Sequence, residues 1–276
     1  NDKSWIERTF SQDSAVYSFR IHRRDDHGAR ALGELKDRGF RWVADALAQS
    51  ANHIDSFFQM LRIELAFYVS CLNLRDRLGE VGEPVSFPVP VALGERRHTC
   101  RGLYDLCLAL TMQHKIVGND VTADDKDLVI ITGANQGGKS TFLRSIGLAQ
   151  LMMQAGMFAP AESLCANVCD GLFTHYTREE DASMTSGKLD EELGRMSDIV
   201  DMIRPHSMVL FNESFAATNE REGSEIARQI VSALLEKRIQ VFFVTHQYEL
   251  ARGFYAKNMG NALFLRAQRK LGGRRT

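Results

Sequence analysis

Residues 128–141 read LVIITGANQGGKST, an apolar run that enters a glycine-rich loop and leaves through Lys-Ser-Thr. Gly133, Gly138, Lys139 and Ser140 fit the pattern G-x-x-x-x-G-K-[ST]. With Gly near ~7% of residues, a chance match in a chain of this length is on the order of 1%. The flanks agree with the motif: a strand is expected before the loop and a helix after it, from about residue 139 to 155. Gly137 and Gly138 let backbone amides approach an anion closely, and the helix N-terminus adds to that nest. Lys139 supplies a point charge for β- and γ-phosphates. Ser140 offers a hydroxyl to Mg²⁺, a cation that keeps most of its waters. The stretch therefore predicts a nucleoside-triphosphate site with Mg²⁺, built on Gly133, Gly137, Gly138, Lys139 and Ser140.

Working outward, a second apolar strand at 208–212 ends in Asn212–Glu213. A strand ending in acid is the expected partner of such a loop. Asn212 keeps the acceptor oxygen of the usual Asp but loses its charge, so weaker metal binding is expected. Glu213 is the candidate base that orients the attacking water; a capping or salt-bridge role is the bland alternative. A third strand, 240–245, delivers Thr245 and His246 at its C-terminal end, where the imidazole can sense the γ-phosphate. The alternative for His246 is a satisfied structural histidine. Further helices are expected at about 189–203 and 222–236, and a strand at 171–177. Strands separated by helices give an α/β fold with a mainly parallel sheet.

The N-terminal third has another texture. Residues 41–78 hold no Gly or Pro, and Ala44, Leu47, Ala51, Ile54, Phe58, Leu61, Leu65, Tyr68 and Leu72 step alternately by 3 and 4. That is a heptad seam. Those 38 helical residues reach about 57 Å, which reads as a strut or lever. A long core helix in a bundle is the alternative, kept open by Phe57, Met60, Phe67 and Val69. Gly79, Gly82 and Pro84 are expected to end it. Residues 1–30, with Arg20, His22, Arg23, Arg24, Asp25 and Asp26, read as a solvated strand or loop, or as a phosphate contact. Residues 84–127 read as mixed, with Pro84, Pro88 and Pro90 marking extended chain and turns. The basic tail (Arg266, Arg269, Lys270, Arg274, Arg275) reads as a solvated end. The domain expectation is 1–83 for the helical segment and 84–276 for the nucleotide domain.

Composition bounds the rest. The 276 residues are 44% hydrophobic and 25% charged, so a core can form and a disordered chain is excluded. Lys+Arg 34 minus Asp+Glu 35 gives −1, which argues against a uniformly basic nucleic-acid coat. No apolar run is long enough to span a membrane, and no secretory signal is visible. The five cysteines contain no C-x-x-C pair, and they read as reduced thiols of a cytoplasmic protein. Cys165 and Cys169 have helical i,i+4 spacing, which suits a metal, but no His or further Cys completes a ligand set. The chain begins at Asn1 rather than Met, and a segment of something longer is expected.

TGANQGGKST, FAPAE at 158–162, the strand ending in Asn212–Glu213, VTHQYEL at 244–250 and Asn119–Asp120 before the first strand together resemble the ATPase domain of the DNA mismatch repair MutS family, an ABC-type ATPase. The resemblance covers roughly residues 104–255, and the long helix is similar to that family's lever. It implies an ABC-type P-loop ATPase that binds ATP through Gly133, Ala134, Asn135, Gln136, Gly137, Gly138, Lys139, Ser140 and Thr141 and works as a homodimer with composite sites. Asn119 would join the ATP site. A signature loop at 183–188 (SMTSGK), led by Ser186 and Gly187, would close the partner's site, and Thr218–Asn219 would sit near the seam. DNA would be met through regions outside this chain, and nucleotide state would drive a DNA clamp. Two features depart from the pattern: Asn212 replaces an Asp, and SGKLDEEL is more acidic than the usual signature. No Phe-x-Glu mismatch-reading domain is present in these residues. The competing reading is a nucleotide-gated module with little hydrolysis. Transporter-type ABC subunits and small-molecule kinases fit less well, the first for want of a membrane partner and the second for want of lid signals.

Overall fold

The structure is a computed structural model that describes residues 20, 22, 25–177 and 187–268. It divides into two compact units, Asn1–Tyr68 and Val69–Thr276.

Helix α1 spans Asp26–Glu80, and the boundary between the units falls within it. The helix starts about four turns before the expected residue 41. Asp25 explains the early start: its Oδ1 accepts the Gly28 amide at 2.9 Å and satisfies a first-turn donor. Gly28, Gly33 and Gly39 each cost about 1 kcal/mol relative to Ala, which weakens the helix without ending it. Asp26, expected in a strand or loop, is its first residue. Arg23 and Arg24 lie outside the described residues. At the other end Gly79 is still helical, and the turn comes at Gly82, whose φ of 77° suits glycine. Trp42, Leu47, Ile54, Phe58 and Leu65 are all exposed along the helix.

The second unit holds two sheets. The smaller takes strands β1 (Val89–Val91), β2 (His98–Leu103), β3 (Asn119–Thr122) and β5 (Ser163–Asn167) in the order β1-β5-β2-β3. Both β2 pairings are antiparallel, with His98 opposite Ala166 and Thr99 opposite Thr122. Helix α2 (Leu106–Met112) is capped by Asp105, whose side chain accepts the Leu108 amide. Residues 84–127 thus hold three short strands and one helix, joined by the turns and extended chain expected around the prolines. Cys165 lies in β5, so its spacing to Cys169 is not helical, and among the described residues no His, Cys, Asp or Glu group is arranged for a metal.

The larger sheet is wholly parallel, in the order β6-β7-β8-β4-β9, from β6 (Leu172–Tyr176), β7 (Met208–Asn212), β8 (Gln240–Val244), β4 (Leu128–Gly133) and β9 (Ala262–Ala267). Helices α3 (Lys139–Gln154), α4 (Lys188–Met202), α5 (Glu220–Glu236) and α6 (Tyr248–Ala256) complete it. The period-two alternation of the strands sorts their residues into two cores. Val129, Ile131, Leu210 and Phe242 join Leu143 and Ile146 of α3 in one. Leu128, Ile130, Phe211 and Phe243 join Val231 of α5 and Phe254 of α6 in the other. Coverage of both faces explains why these strands read as unbroken apolar runs. A third cluster packs Leu78 of α1 on Tyr104, Met152 and Phe158.

Of the basic tail, Arg266 is exposed but belongs to strand Ala262–Ala267, opposite Thr132, and Arg269, Lys270, Arg274 and Arg275 lie outside the described residues. Among the described residues no helix is long and apolar enough to cross a membrane.

Candidate functional site

Strand β4 stops at Gly133 because β9 leaves no room beside it. A Cβ there would lie 2.9 Å from Ala267 Cβ, and its φ of 131° favours glycine. The loop then turns through Gln136, at φ 63°, and Gly138, at φ 82°. At Gly137 a Cβ would meet the Ala134 carbonyl oxygen at 2.9 Å, so glycine lets the loop close tightly. Ala134, Asn135 and Gln136 are exposed at its crest. Gly138 is the N-cap of α3 and brings no capping side chain, so first-turn amides remain for a ligand.

Lys139 is buried, and its ammonium donates to Gly133 O at 2.9 Å and Ala134 O at 3.2 Å. The same nitrogen lies 3.6 Å from Glu213 Oε1. Ser140 Oγ donates to Asn212 Oδ1 at 2.8 Å. His246 approaches Glu213 Oε2 twice, its amide at 2.9 Å and its Nδ1 at 2.6 Å. The ends of β4, β7 and β8 therefore gather Lys139, Ser140, Asn212, Glu213 and His246 at one sheet edge.

Beside the loop opens a cavity of about 520 Å³. Gly137, Gly138, Lys139 and Thr141 line it, together with Asn119 of β3 and Phe142 of α3. Its size and mixed apolar and polar wall suit a drug-sized polar ligand. Sequence reasoning missed two charged walls, Asp105 and Arg266. Asp105 is buried, capping α2 and accepting from Arg144 Nε at 2.6 Å, and a lone N-cap Asp before LCLAL was the available signal. Asp120, beside Asn119, also lines the cavity and accepts the Gly102 amide at 2.7 Å.

The two signature candidates fare differently. Ser186 lies outside the described residues, whereas Gly187 is the N-cap of α4 in extended conformation. Asn219 caps α5 through the Glu222 amide at 3.0 Å, and Thr218 donates to the Glu222 carboxylate.

Comparison with known families gives the geometry a context. The family described as MutS domain V matches residues 129–271, which takes in the 133–141 loop, Asn212, Glu213 and His246. The chain belongs to the MutS family. The MutS2 N-terminal domain matches residues 1–81, the stretch that includes α1. Among MutS relatives, the DNA mismatch repair protein MutS of Leptospira interrogans is 28% identical over 223 residues, covering 79% of this chain and 26% of the relative. The endonuclease MutS2 of Lacticaseibacillus casei is 30% identical over 212 residues, 74% of this chain and 26% of that protein. The MutS protein of Parabacteroides distasonis is 35% identical over 146 residues, 51% of this chain and 17% of its own length. The chain thus spans about a quarter or less of the curated MutS relatives it matches.

Proposed function

We propose that residues 84–276 form an ABC-type P-loop ATPase domain that binds and hydrolyses ATP, and that residues 1–83 are the lever segment of a DNA-processing MutS protein. The observation that supports this most is the meeting of Lys139 and Glu213 at 3.6 Å on the rim of a glycine loop, with Lys139 also lining a ligand-sized cavity that Glu213 does not line. In this reading the amides of residues 133–141 and the α3 N-terminus hold the phosphates, and Lys139 exchanges its loop carbonyls for phosphate oxygens. Asn119 and Thr141 line the cavity beside it.

Glu213 accepts a hydrogen from the attacking water and aims its oxygen at the γ-phosphorus. His246 holds the carboxylate through Oε2, leaving Oε1 for the water. Ser140 and Asn212 suit Mg²⁺: two neutral oxygens 2.8 Å apart match a hard cation whose other ligands are water and phosphate. Bound there, Mg²⁺ would neutralise charge on the phosphate oxygens. Ser186 and Gly187 of each subunit close the phosphate site of the other, giving a homodimer with composite sites, and DNA is met by regions outside this chain. Nucleotide state then drives the clamp through the lever, in a cytoplasmic repair protein.

Asn212 favours a second reading, a nucleotide-gated dimer that turns over slowly, because an amide brings no charge to the metal. Phosphate release against Mg²⁺ concentration separates the two. A rate that saturates with Mg²⁺ and vanishes in Glu213→Gln supports hydrolysis; nucleotide binding without release supports the gate.

A further inference from the structure

We infer that Glu192 is a positioning residue that fixes the Glu213 turn to helix α4. Glu192 is a fully buried carboxylate. Its Oε2 accepts the Phe215 amide at 2.7 Å, and its Oε1 lies 3.3 Å from Thr177 Oγ1. The Thr177 hydroxyl in turn sits 2.5 Å from the Glu213 carbonyl oxygen. Glu192 thus reaches both sides of the turn that presents Glu213.

That turn requires holding. Glu213 and Phe215 both adopt left-handed backbone, at φ 55° and 61°. Left-handed conformations are costly for a non-glycine residue and persist only where the surroundings over-determine them. A buried acceptor on the Phe215 amide is such a determinant. The Thr177 hydroxyl faces two acceptors, the Glu213 carbonyl and Glu192 Oε1, and so ties the two together. Burial raises the Glu192 pKa, while the Phe215 amide and the Thr177 hydroxyl lower it. A glutamine would keep an oxygen on the Phe215 amide and turn its NH₂ toward the Thr177 oxygen, whose hydrogen stays on the Glu213 carbonyl.

The consequence reaches beyond one chain. Helix α4 begins at Gly187, the residue that on the proposed reading meets the partner's phosphates. Glu192 lies in the second turn of the same helix. Through it, the position of the trans loop bears on the aim of the cis base. This rests on Glu213 being that base.

The test measures ATP-analogue affinity and single-turnover phosphate release for Glu192→Ala, Glu192→Gln, Thr177→Val and Glu213→Gln. Glu192→Ala should lose release by about tenfold or more while affinity stays within about twofold, as expected for a misaimed group. Glu192→Gln should restore most of the rate, which a merely filled cavity would not require. Parental turnover in Glu192→Ala, or equal losses of affinity and rate, overturns the inference. If Glu192→Ala does not fold, Thr177→Val carries the test, and its unchanged rate overturns it. Parental turnover in Glu213→Gln removes the base assignment and this inference with it; an inactive Glu213→Gln beside an active Glu192→Ala removes only the inference.

Discussion

The Ser140 hydroxyl donates to the Asn212 side-chain oxygen at 2.8 Å, joining the first turn of α3 to the end of β7. The two groups that would hold a divalent cation are therefore adjacent, and both are neutral. A carboxylate at position 212 would keep the hydrogen bond and add charge. Asn212→Asp should lower the Mg²⁺ concentration needed for half-maximal ATPase, in a titration of both proteins. Asn212 is only half-buried, which limits the cost of the new charge. An equal Mg²⁺ requirement at unchanged melting temperature would show that Asn212 does not face the metal.

His246 and Glu213 form the other tight pair, at 2.6 Å. Removing the imidazole leaves Oε2 held by the residue-246 amide alone and loosens the carboxylate, while the phosphate loop is untouched. His246→Ala should therefore slow phosphate release and leave nucleotide affinity nearly unchanged, whereas Glu213→Gln should stop release altogether. Stopped-flow release beside equilibrium titration checks both. A His246→Ala variant that loses affinity but keeps its rate would reassign His246 to ground-state binding.

The proposed composite sites are tested by mixing chains. In that arrangement Lys139→Ala damages the phosphate loop of one chain, and Ser186→Arg blocks the trans loop of the other. Each homodimer should be inactive, while the mixture should recover one working site. Phosphate release in the mixture reads this directly, with sedimentation to confirm that chains associate. Association without recovered activity would contradict trans completion.

Stability should fall in acid through His98. This imidazole is fully buried against the Phe242 ring, neither ring nitrogen has a hydrogen-bond partner among the described residues, and burial pushes its pKa down to about 4. An unfolded histidine titrates near 6.5. Between those values the unfolded chain binds a proton that the folded chain refuses. Stability is thus fully present above pH ~6.5 and declines toward pH ~4, by at most about 3 kcal/mol from this group. His175 is also pushed down by burial and adds to the slope. His98→Phe should flatten the decline of the urea midpoint in that window without removing it. An identical slope in the variant would refute the assignment.

The parallel sheet was legible because its strands are buried on both faces. LVIITG, MVLFN and QVFFV stand out as apolar runs, and the glycines between β4 and α3 mark a turn with few alternatives. The smaller sheet was not legible. HTCRGL is short and polar in places, and its pairing of His98 with Ala166 depends on contacts far along the chain. Strand β9 was hidden by Arg266, whose charge resembled a tail. Helix α1 was cut short because glycines outweighed a cap that only geometry reveals. At the candidate site, Lys139, Ser140, Asn212, Glu213 and His246 were all named from sequence, since each follows an apolar strand or a glycine. Glu192 was read as one more acid of SGKLDEEL, because nothing local shows that its partner is the Phe215 amide.

The ammonium of Lys139, buried between two loop carbonyls and the Glu213 carboxylate, is the group on which the nucleotide assignment turns. A fluorescent ATP analogue titrated with Mg²⁺ into the parent chain and into Lys139→Ala tests it most directly. The parent should bind saturably, and the variant should lose binding by on the order of a hundredfold, with both equally folded by circular dichroism. Equal affinity in the two proteins would contradict a phosphate site in the 133–141 loop.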